Sequence, residues 1–469
     1  MNWVETTVGD FCPFIYGKGL SKTKRQKGLV PVYGSNGCVD FHSKSCVNGP
    51  GIIIGRKGSV GAVHLSEVPF WPIDTSFYVE KESLEELKFT YYLLKSLGLE
   101  GMNSDSAVPG LNRENAHALP ITIPENKEDR EALGRWISIY DEKIELNRQT
   151  NQTLEHIAQA IFKSWFVDFE PTRAKIAAKQ IRQARQDSER SAALKAALFT
   201  NNRWPEAVAA AIAEGDPERA AMAAISGKAL DEIDQLSPEQ QTQLLTTAAL
   251  FPDALVDSEL GEIPEGWKEG NVGNVAIAKG GFAFKGKSFV EEGNPVIKIK
   301  NITGDGRVDL NGAVCIDDEQ AKSSKRFKLE DGDLLMAMTG ATVGKIGFVV
   351  TEGKSVYLNQ RVAKFESEKF GDKIAWFLFC CFERDSIFDA VVSSAQGSAQ
   401  PNISSSGIES TKLILPSDGL IRLFCEKADS LFRKWLSTIK ENSVLEENRD
   451  SLLPKLLSGE LKLTSKGAA

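Results

Sequence analysis

The chain has 469 residues, 42% hydrophobic and 26% charged, with a formal net charge of -8. That length accommodates two or three domains, each with its own core, and that charge excludes broad, non-specific polyanion binding while leaving room for local basic patches. No apolar run reaches the eighteen residues of a membrane helix, and the seven cysteines form no C-x-x-C pair, which fits a reduced, cytosolic compartment without structural zinc.

MNWVETTVGDF has neither the basic region nor the apolar core of a signal peptide. Residues 1–125 read as β-rich, with short apolar runs between Gly, Asn and Ser clusters, as in GLVPVYGSNGCVDF, GPGIIIGRKGSVGAVHL and PFWPIDTSFYVE. One helix is predicted at SLEELKFTYYLLKSL, capped by Ser83. No acidic residue occurs from Phe11 to Val39, where Lys18, Lys22, Lys24, Arg25 and Lys27 cluster. Such a cluster is either a solvated loop or a phosphate-facing arm. In GIIIGRKGSVG a buried strand runs into a Gly-rich turn carrying Arg56, Lys57 and Ser59. The turn is an ordinary hairpin or a place where Arg reaches a phosphate or a guanine edge. SAVPGLN (106–112) and LPITIP (119–124) then lead into a long helix.

That helix is expected over 126–165. Leu133, Ile137, Tyr140, Ile144, Asn147, Asn151, Leu154, Ala158, Ile161 and Trp165 alternate in steps of four and three, the spacing of a coiled-coil seam. Forty helical residues span about 60 Å at 1.5 Å per residue, too long for one small domain, so the helix needs a partner. The constant offset that carries Leu133 to Phe424 generates a second seam: Phe424, Ala428, Leu431, Trp435, Thr438, Asn442, Leu445, Arg449, Leu452 and Leu456. Only Arg449 is charged, and Asn151 and Asn442 each place a register-fixing amide.

Residues 166–265 read as an Ala-rich helical connector, with a capping box at Ser237-Pro238-Glu239-Gln240. At Trp267 the chain restarts. WKEGNVGNV echoes WVETTVGDF, GDLLMAMTGATVGKIGFV echoes GIIIGRKGSVGAVHL, SAQPNIS echoes SAVPGLN, and LILP echoes ITIP. The shared order of these echoes argues for duplication. The fold expected is α+β: β-rich domains at 1–125 and 266–417, each followed by a long helix (126–165 and 418–458). The two helices then pair as an antiparallel coiled coil under a pseudo-two-fold internal repeat.

Gly281 to Ser288 satisfies the P-loop pattern G-x-x-x-x-G-K-[ST]. A P-loop works only where it opens a helix whose amides hold phosphate. Here Gly293-Asn294-Pro295 and VIKIKNI follow, which read as turn and strand. No dinucleotide fingerprint, G-x-S-x-G, H-E-x-x-H or N-P-P-[YF] motif occurs, and His42, His64, His117 and His156 lack metal-ligand spacing.

The stretch GLVPVYGSNGCVDFHSKSCVNGPGIIIGRKGSVGAVHLSEVPFWPIDTSFYV resembles the first target-recognition domain of a type I restriction-modification specificity subunit. IELNRQTNQTLEHIAQAIFKSWFVDFEP is similar to that family's central spacer helix. SELGEIPEGW followed by GFAFKGKSFVEEGNPVIKIKNI is similar to the start of its second domain, and ENRDSLLPKLLSGEL to its last helix. Only 171–252 lies outside the resemblance. It implies a non-catalytic chain whose two domains, held apart by antiparallel helices, read the halves of a split double-stranded DNA target. It also implies two modification (methyltransferase) subunits and restriction (translocase/nuclease) subunits as partners, which carry S-adenosylmethionine, ATP and magnesium. No cofactor, metal or membrane is expected for this chain itself. The DNA-contact candidates are loop residues with basic, amide or hydroxyl side chains: Lys18, Lys22, Lys24, Asn36, Arg56, Lys57 and Ser59, then Lys285, Lys287, Thr339, Lys345, Gln396 and Gln400. Arg56-Lys57 faces Met338-Thr339 in the repeat, and two different readers imply an asymmetric target. A P-loop nucleotide-binding enzyme and a coiled-coil adaptor without a DNA role are the alternatives.

Overall fold

A computed structural model describes residues 1–102, 110–185, 187–199, 204–304, 306–395 and 401–461. The chain divides into two units, Met1–Asn147 with the chain from Glu441, and Arg148–Lys440.

The first unit holds strands β1 (Trp3–Thr7), β2 (Ile15–Tyr16), β3 (Val30–Gly34), β4 (Gly37–His42), β5 (Gly51–Gly55), β6 (Val63–Ser66), β7 (Trp71–Pro72), β8 (Ser76–Glu80) and β9 (Pro120–Pro124). Its helices are α1 (Val8–Phe11), α2 (Leu84–Ser96), α3 (Arg113–His117) and the first half of α4 (Lys127–Phe166). One sheet has the order β2-β8-β5-β6 and another β4-β3-β7, while β1 pairs with β9. β5 is buried along its whole length because side chains alternate across a strand and both faces are covered. Ile52 and Ile54 join Phe77, Val79, Leu87 and Phe89 on one side; Ile53 joins Val47 and Phe70 on the other. Ser83 caps α2, its hydroxyl accepting from the Glu86 amide.

α4 enters this core through Leu133 and Ile137, beside Leu456 and Leu457 of the last helix, Asp418–Leu457. Gly134, the one glycine of α4, marks the closest approach: a Cβ there would lie 2.0 Å from the Glu85 carbonyl oxygen and 2.8 Å from the Phe89 nitrogen. Asn147 Nδ2 donates to Asn442 Oδ1 at 2.8 Å and to Glu441 at 3.0 Å. Arg449, the charged position of the second seam, pairs with Asp141 and Asp450. Burial works against its charge, but these carboxylates more than offset that and hold the guanidinium's pKa above its ordinary value.

The second unit begins with the rest of α4 and then α5 (Glu170–Ala184), α6 (Ser188–Phe199), α7 (Glu206–Ala213), α8 (Pro217–Ser226), α9 (Leu230–Asp234) and α10 (Pro238–Ala249). The stretch 166–265, expected as a helical connector, is helical as far as Ala249. These helices bury a core of their own, Ala174, Ala177, Ala178 and Ile181 with Ala211, Ile212, Ala220, Ala221 and Ala223. The alanines let the helix backbones approach, and the larger Ile181, Ile212, Met222, Ile233 and Leu244 fill in around them. The end of the stretch is not helical: β10 (Leu255–Ser258) and β11 (Gly261–Pro264) form an antiparallel hairpin.

The strands that follow are β12 (Lys268–Asn271), β13 (Ile277–Gly280), β14 (Phe289–Val290), β15 (Asn294–Ile297), β16 (Gly306–Arg307), β17 (Val314–Ile316), β18 (Lys328–Leu329), β19 (Leu334–Ala337), β20 (Ile346–Phe348), β21 (Val356–Leu358), β22 (Val362–Glu366) and β23 (Lys412–Leu415). Helices α11 (Asp318–Ser323), α12 (Ile374–Phe382), α13 (Asp385–Ser394) and α14 (Ser405–Glu409) lie among them, and α15 (Asp418–Leu457) ends the series. The sheet orders are β13-β22-β19-β20-β16 and β14-β17-β15-β21-β18, with β12 paired to β23.

The internal repeat is therefore topological. β2-β8-β5-β6 recurs as β13-β22-β19-β20, and the parallel pair β3-β7 recurs as β15-β21. The β1-β9 pair, whose second strand precedes α4, recurs as β12-β23 before α15. In this unit Ala158, Phe162 and Trp165 of α4 share a core with Phe424, Ala428 and Trp435 of α15, and the Thr438 hydroxyl donates to Asn151. The repeat carries Asn147 onto Thr438 and Asn151 onto Asn442. The Asn147–Asn442 contact of the first unit is thus the repeat image of the Thr438–Asn151 contact of the second.

Candidate nucleic-acid interface

In the first unit the antiparallel register places β2's end, β5's end and the starts of β6 and β8 at one edge of the sheet. Gly55 stands opposite Ser76, and Tyr16 opposite Phe77. The turn after β5 carries Arg56, Lys57 and Ser59, and it is tightly built: a Cβ on Gly55 would lie 1.9 Å from the Ser59 carbonyl oxygen. The Ser59 hydroxyl donates to Asn36 Oδ1 at 3.3 Å, joining this turn to the β3–β4 turn. Lys57 and Asn36 are exposed, and Arg56 and Ser59 half-buried.

Arg56 is held from three sides. Its amide donates to the Thr75 carbonyl at 2.9 Å, its Nη1 to the Asp74 carbonyl at 3.1 Å, and its guanidinium lies 5.1 Å from the Tyr16 ring centre. Its side chain is thereby pre-oriented at the sheet edge, with no side-chain carboxylate among these contacts. Lys18 leaves β2 at the same edge, its amide donating to the Pro72 carbonyl and its carbonyl accepting from Trp71 Nε1.

Lys22 and Lys24, both exposed, lie on a short 3-10 turn further along the arm. The arm then ties to β4: Arg25 pairs with Asp40 at 2.9 Å, and the Gln26 amide donates to His42 Nδ1. Val30 is opposite His42 and Gly34 opposite Gly37, so this anchorage lies toward the hairpin's open end, away from Asn36. The hydrogen bond from Arg25 holds the Asp40 carboxyl below its ordinary pKa. The first unit thus gathers Lys18, Asn36, Arg56, Lys57 and Ser59 at one edge and ties the arm bearing Lys22 and Lys24 to the open end of the β3–β4 hairpin.

The same edge exists in the second unit, where Ala337 stands opposite Val362 and Gly280 opposite Ala363. Lys285 and Lys287 are exposed in the loop after β13, and Thr339 is half-buried in the turn after β19. Thr339 Oγ1 is buried and has no hydrogen-bond partner among the described residues. Lys345 opens β20 and is engaged within its own unit, Nζ donating to the Thr303 carbonyl at 3.0 Å. Gln396 and Gln400 lie outside the described residues.

Sequence reasoning missed several basic residues. Arg113, one residue beyond the SAVPGLN echo, lies 5.0 Å from the Tyr16 ring centre. Met338 occupies Arg56's place, its amide donating at 3.0 Å to the carbonyl of Arg361, which stands where Thr75 stands in the first unit. Each edge therefore carries one arginine at this bridge, from opposite strands. Lys279, Arg326, Lys328 and Lys364 line a cleft of about 400 Å³ with Glu366. They come from three separate stretches of the chain, and nothing in their spacing signals the cleft. Three of the four are paired internally, Lys279 with Glu366, Lys364 with Asp333 and Lys328 with Glu330.

The sequence model of the type I restriction modification DNA specificity domain matches this chain twice, at residues 1–156 and 264–419. The chain belongs to that family. The specificity subunit of the type I restriction enzyme HindI from Haemophilus influenzae is 29% identical over 75% of this chain and 71% of its own length. That of MjaIX from Methanocaldococcus jannaschii is 22% identical over 80% and 69%. A crystal structure of a type I restriction-modification S subunit from M. genitalium superposes with a TM-score of 0.54 at 17% identity, covering 99% of this chain and 97% of that one. This likeness speaks for the fold.

The specificity family's role is DNA recognition, and it is not catalytic. The P-loop alternative also fails on geometry. Gly286–Ser288 is one 3-10 turn that passes directly into β14, so no helix N-terminus faces the loop. Among the described residues no helix is long and apolar enough to cross a membrane.

Proposed function

We propose that this specificity subunit reads one bipartite, asymmetric double-stranded DNA target, with 1–125 and 266–417 as the two half-site readers. The observation that carries this reading is the repeated sheet edge bearing different side chains: Arg56, Lys57 and Asn36 in one unit, Thr339, Lys285 and Lys287 in the other. A shared edge implies the same mode of approach, and different side chains imply different base sequences. α4 and α15 act as a spacer, pairing as an antiparallel coiled coil. The repeat-related contacts Asn147–Asn442 and Thr438–Asn151 support that pairing.

Two modification subunits dock on this scaffold and methylate adenine using S-adenosylmethionine, and restriction subunits bring ATP, magnesium and cleavage. The assembly works in the cytoplasm. The test is methylome sequencing of a host expressing this chain with its modification subunit. The expected result is one split motif with unlike halves, methylated at adenine. A palindromic motif, or no new methylation, contradicts the reading.

A further inference from the structure

Two arginines, distant in sequence, converge on one ring at the first unit's sheet edge. The guanidinium of Arg56 lies 5.1 Å, and that of Arg113 5.0 Å, from the centre of Tyr16. Tyr16 is 50% exposed and is itself braced edge-on by Phe77, ring centres 5.0 Å apart. The Leu111 amide donates to the Arg56 carbonyl at 2.9 Å, so the segment entering α3 is hydrogen-bonded to the turn that presents Arg56. Asn112 caps α3 by accepting from the Asn115 amide at 3.1 Å, which fixes where Arg113 begins.

The two charges are not equally compensated. Arg56 is bonded to a carbonyl oxygen. Among the described residues Arg113 bonds the neighbouring Glu114, at 2.9 and 3.2 Å, and that carboxylate is exposed. An exposed ion pair of this kind is weak and readily exchanged for another anion. The Tyr16 ring attracts each of the two cations. Each of the two planar guanidiniums held at this ring has donors suited to phosphate oxygens.

We propose that Arg113 is a DNA-contacting residue of the first half-site, and that Tyr16 aligns Arg56 and Arg113 as a paired clamp on one backbone phosphate of the target. Glu114 occupies the Arg113 side of the clamp until DNA arrives. This inference rests on the half-site reading above and adds to it a residue, a platform and a class of contact.

The test uses the chain assembled with its modification subunits and a labelled duplex carrying the motif that this assembly methylates, with affinity measured across a salt series. Arg113→Ala should weaken binding about tenfold and lower the slope of log affinity against log salt by about one, without changing base preference. Arg113→Lys should recover the slope but not the full affinity, since the charge remains and the planar fork is lost. Tyr16→Leu should weaken binding while Tyr16→Phe should not. Glu114→Ala should tighten binding, an outcome that a purely structural ion pair would not produce. Wild-type affinity and slope for Arg113→Lys, together with no tightening for Glu114→Ala, would overturn the inference even if Arg113→Ala failed to assemble. Should Arg113 prove silent while Arg56→Ala impairs the first half-site, the clamp is wrong and the half-site reading stands. A target without unlike halves removes that reading itself.

Discussion

Arg56, a proposed DNA contact, is held in place before any partner arrives. Its backbone is fixed by Thr75, its guanidinium by Asp74 and Tyr16, and it stands at the edge of a fully buried strand. Pre-organisation of this kind reduces the ordering cost of binding. Arg56→Ala in the assembled complex should weaken binding evenly over all targets, as the phosphate clamp requires; a loss of about 1–3 kcal/mol confined to targets intact in the first half-site would show instead that Arg56 reads a base. Binding to duplexes altered in either half distinguishes the two, and unchanged affinity for every duplex returns Arg56 to a structural role. A second residue-level expectation concerns the basic arm. The Arg25 hydrogen bond lowers the Asp40 pKa from 3.8. A carboxyl depressed in the folded state stabilises that state above its unfolded pKa and loses the contribution as pH falls through the lowered value. The Arg25–Asp40 tie should therefore persist through neutral pH and release only in acid. NMR titration of the Asp40 carboxyl should give a midpoint below 3.8 that rises in Arg25→Ala. An identical midpoint in the variant would show that the arm is not held this way.

The long helices were the most legible elements, because each seam repeats its own period across ten positions, and all of those positions are buried or half-buried. Their details were less legible. The role of Gly134 has no local signal, and only the fold shows that it admits the backbone of α2. Gly134→Ala should gain about 1 kcal/mol of helix propensity, yet the added Cβ meets backbone atoms that cannot swing aside. Overpacking of this sort costs about 1–3 kcal/mol or more, so the variant should unfold at lower denaturant; an unchanged or higher midpoint would refute the close approach. The strand echoes were legible as order, and the two sheets repeat that order. The helical core of α5 to α10 was not, since alanine carries too little apolar contrast to separate a buried helix from a solvated one. At the sheet edges the turn residues could be read locally, but Arg113 on Tyr16, Arg361 opposite Met338 and the basic cleft could not. Those meetings depend on chain reversals that no local pattern records.

At the scale of the whole molecule, the repeat implies two readers of one design and different specificity, and the proposed spacer makes their separation a property of helix length. Adding one heptad to each of α4 and α15 keeps the seam in phase and adds about 10 Å. That corresponds to about three base pairs at roughly 3.4 Å each. DNA turns once in about 10.5 base pairs, so the second half-site would also rotate by about a third of a turn. Selection from libraries with a varied spacer should yield a longer spacer, or lose tight binding. A lengthened, folded complex that keeps both the original spacer and the original affinity would show that the helices do not set the distance. The most direct measurement compares three assembled complexes, wild type, Arg56→Ala with Lys57→Ala, and Lys285→Ala with Lys287→Ala, on a DNA library randomised in both half-sites, read out by sequencing of methylated adenines. The account predicts that each pair of substitutions degrades the preference in one half of the motif and leaves the other half unchanged, the two pairs acting on opposite halves. Equal loss in both halves from either pair would contradict it.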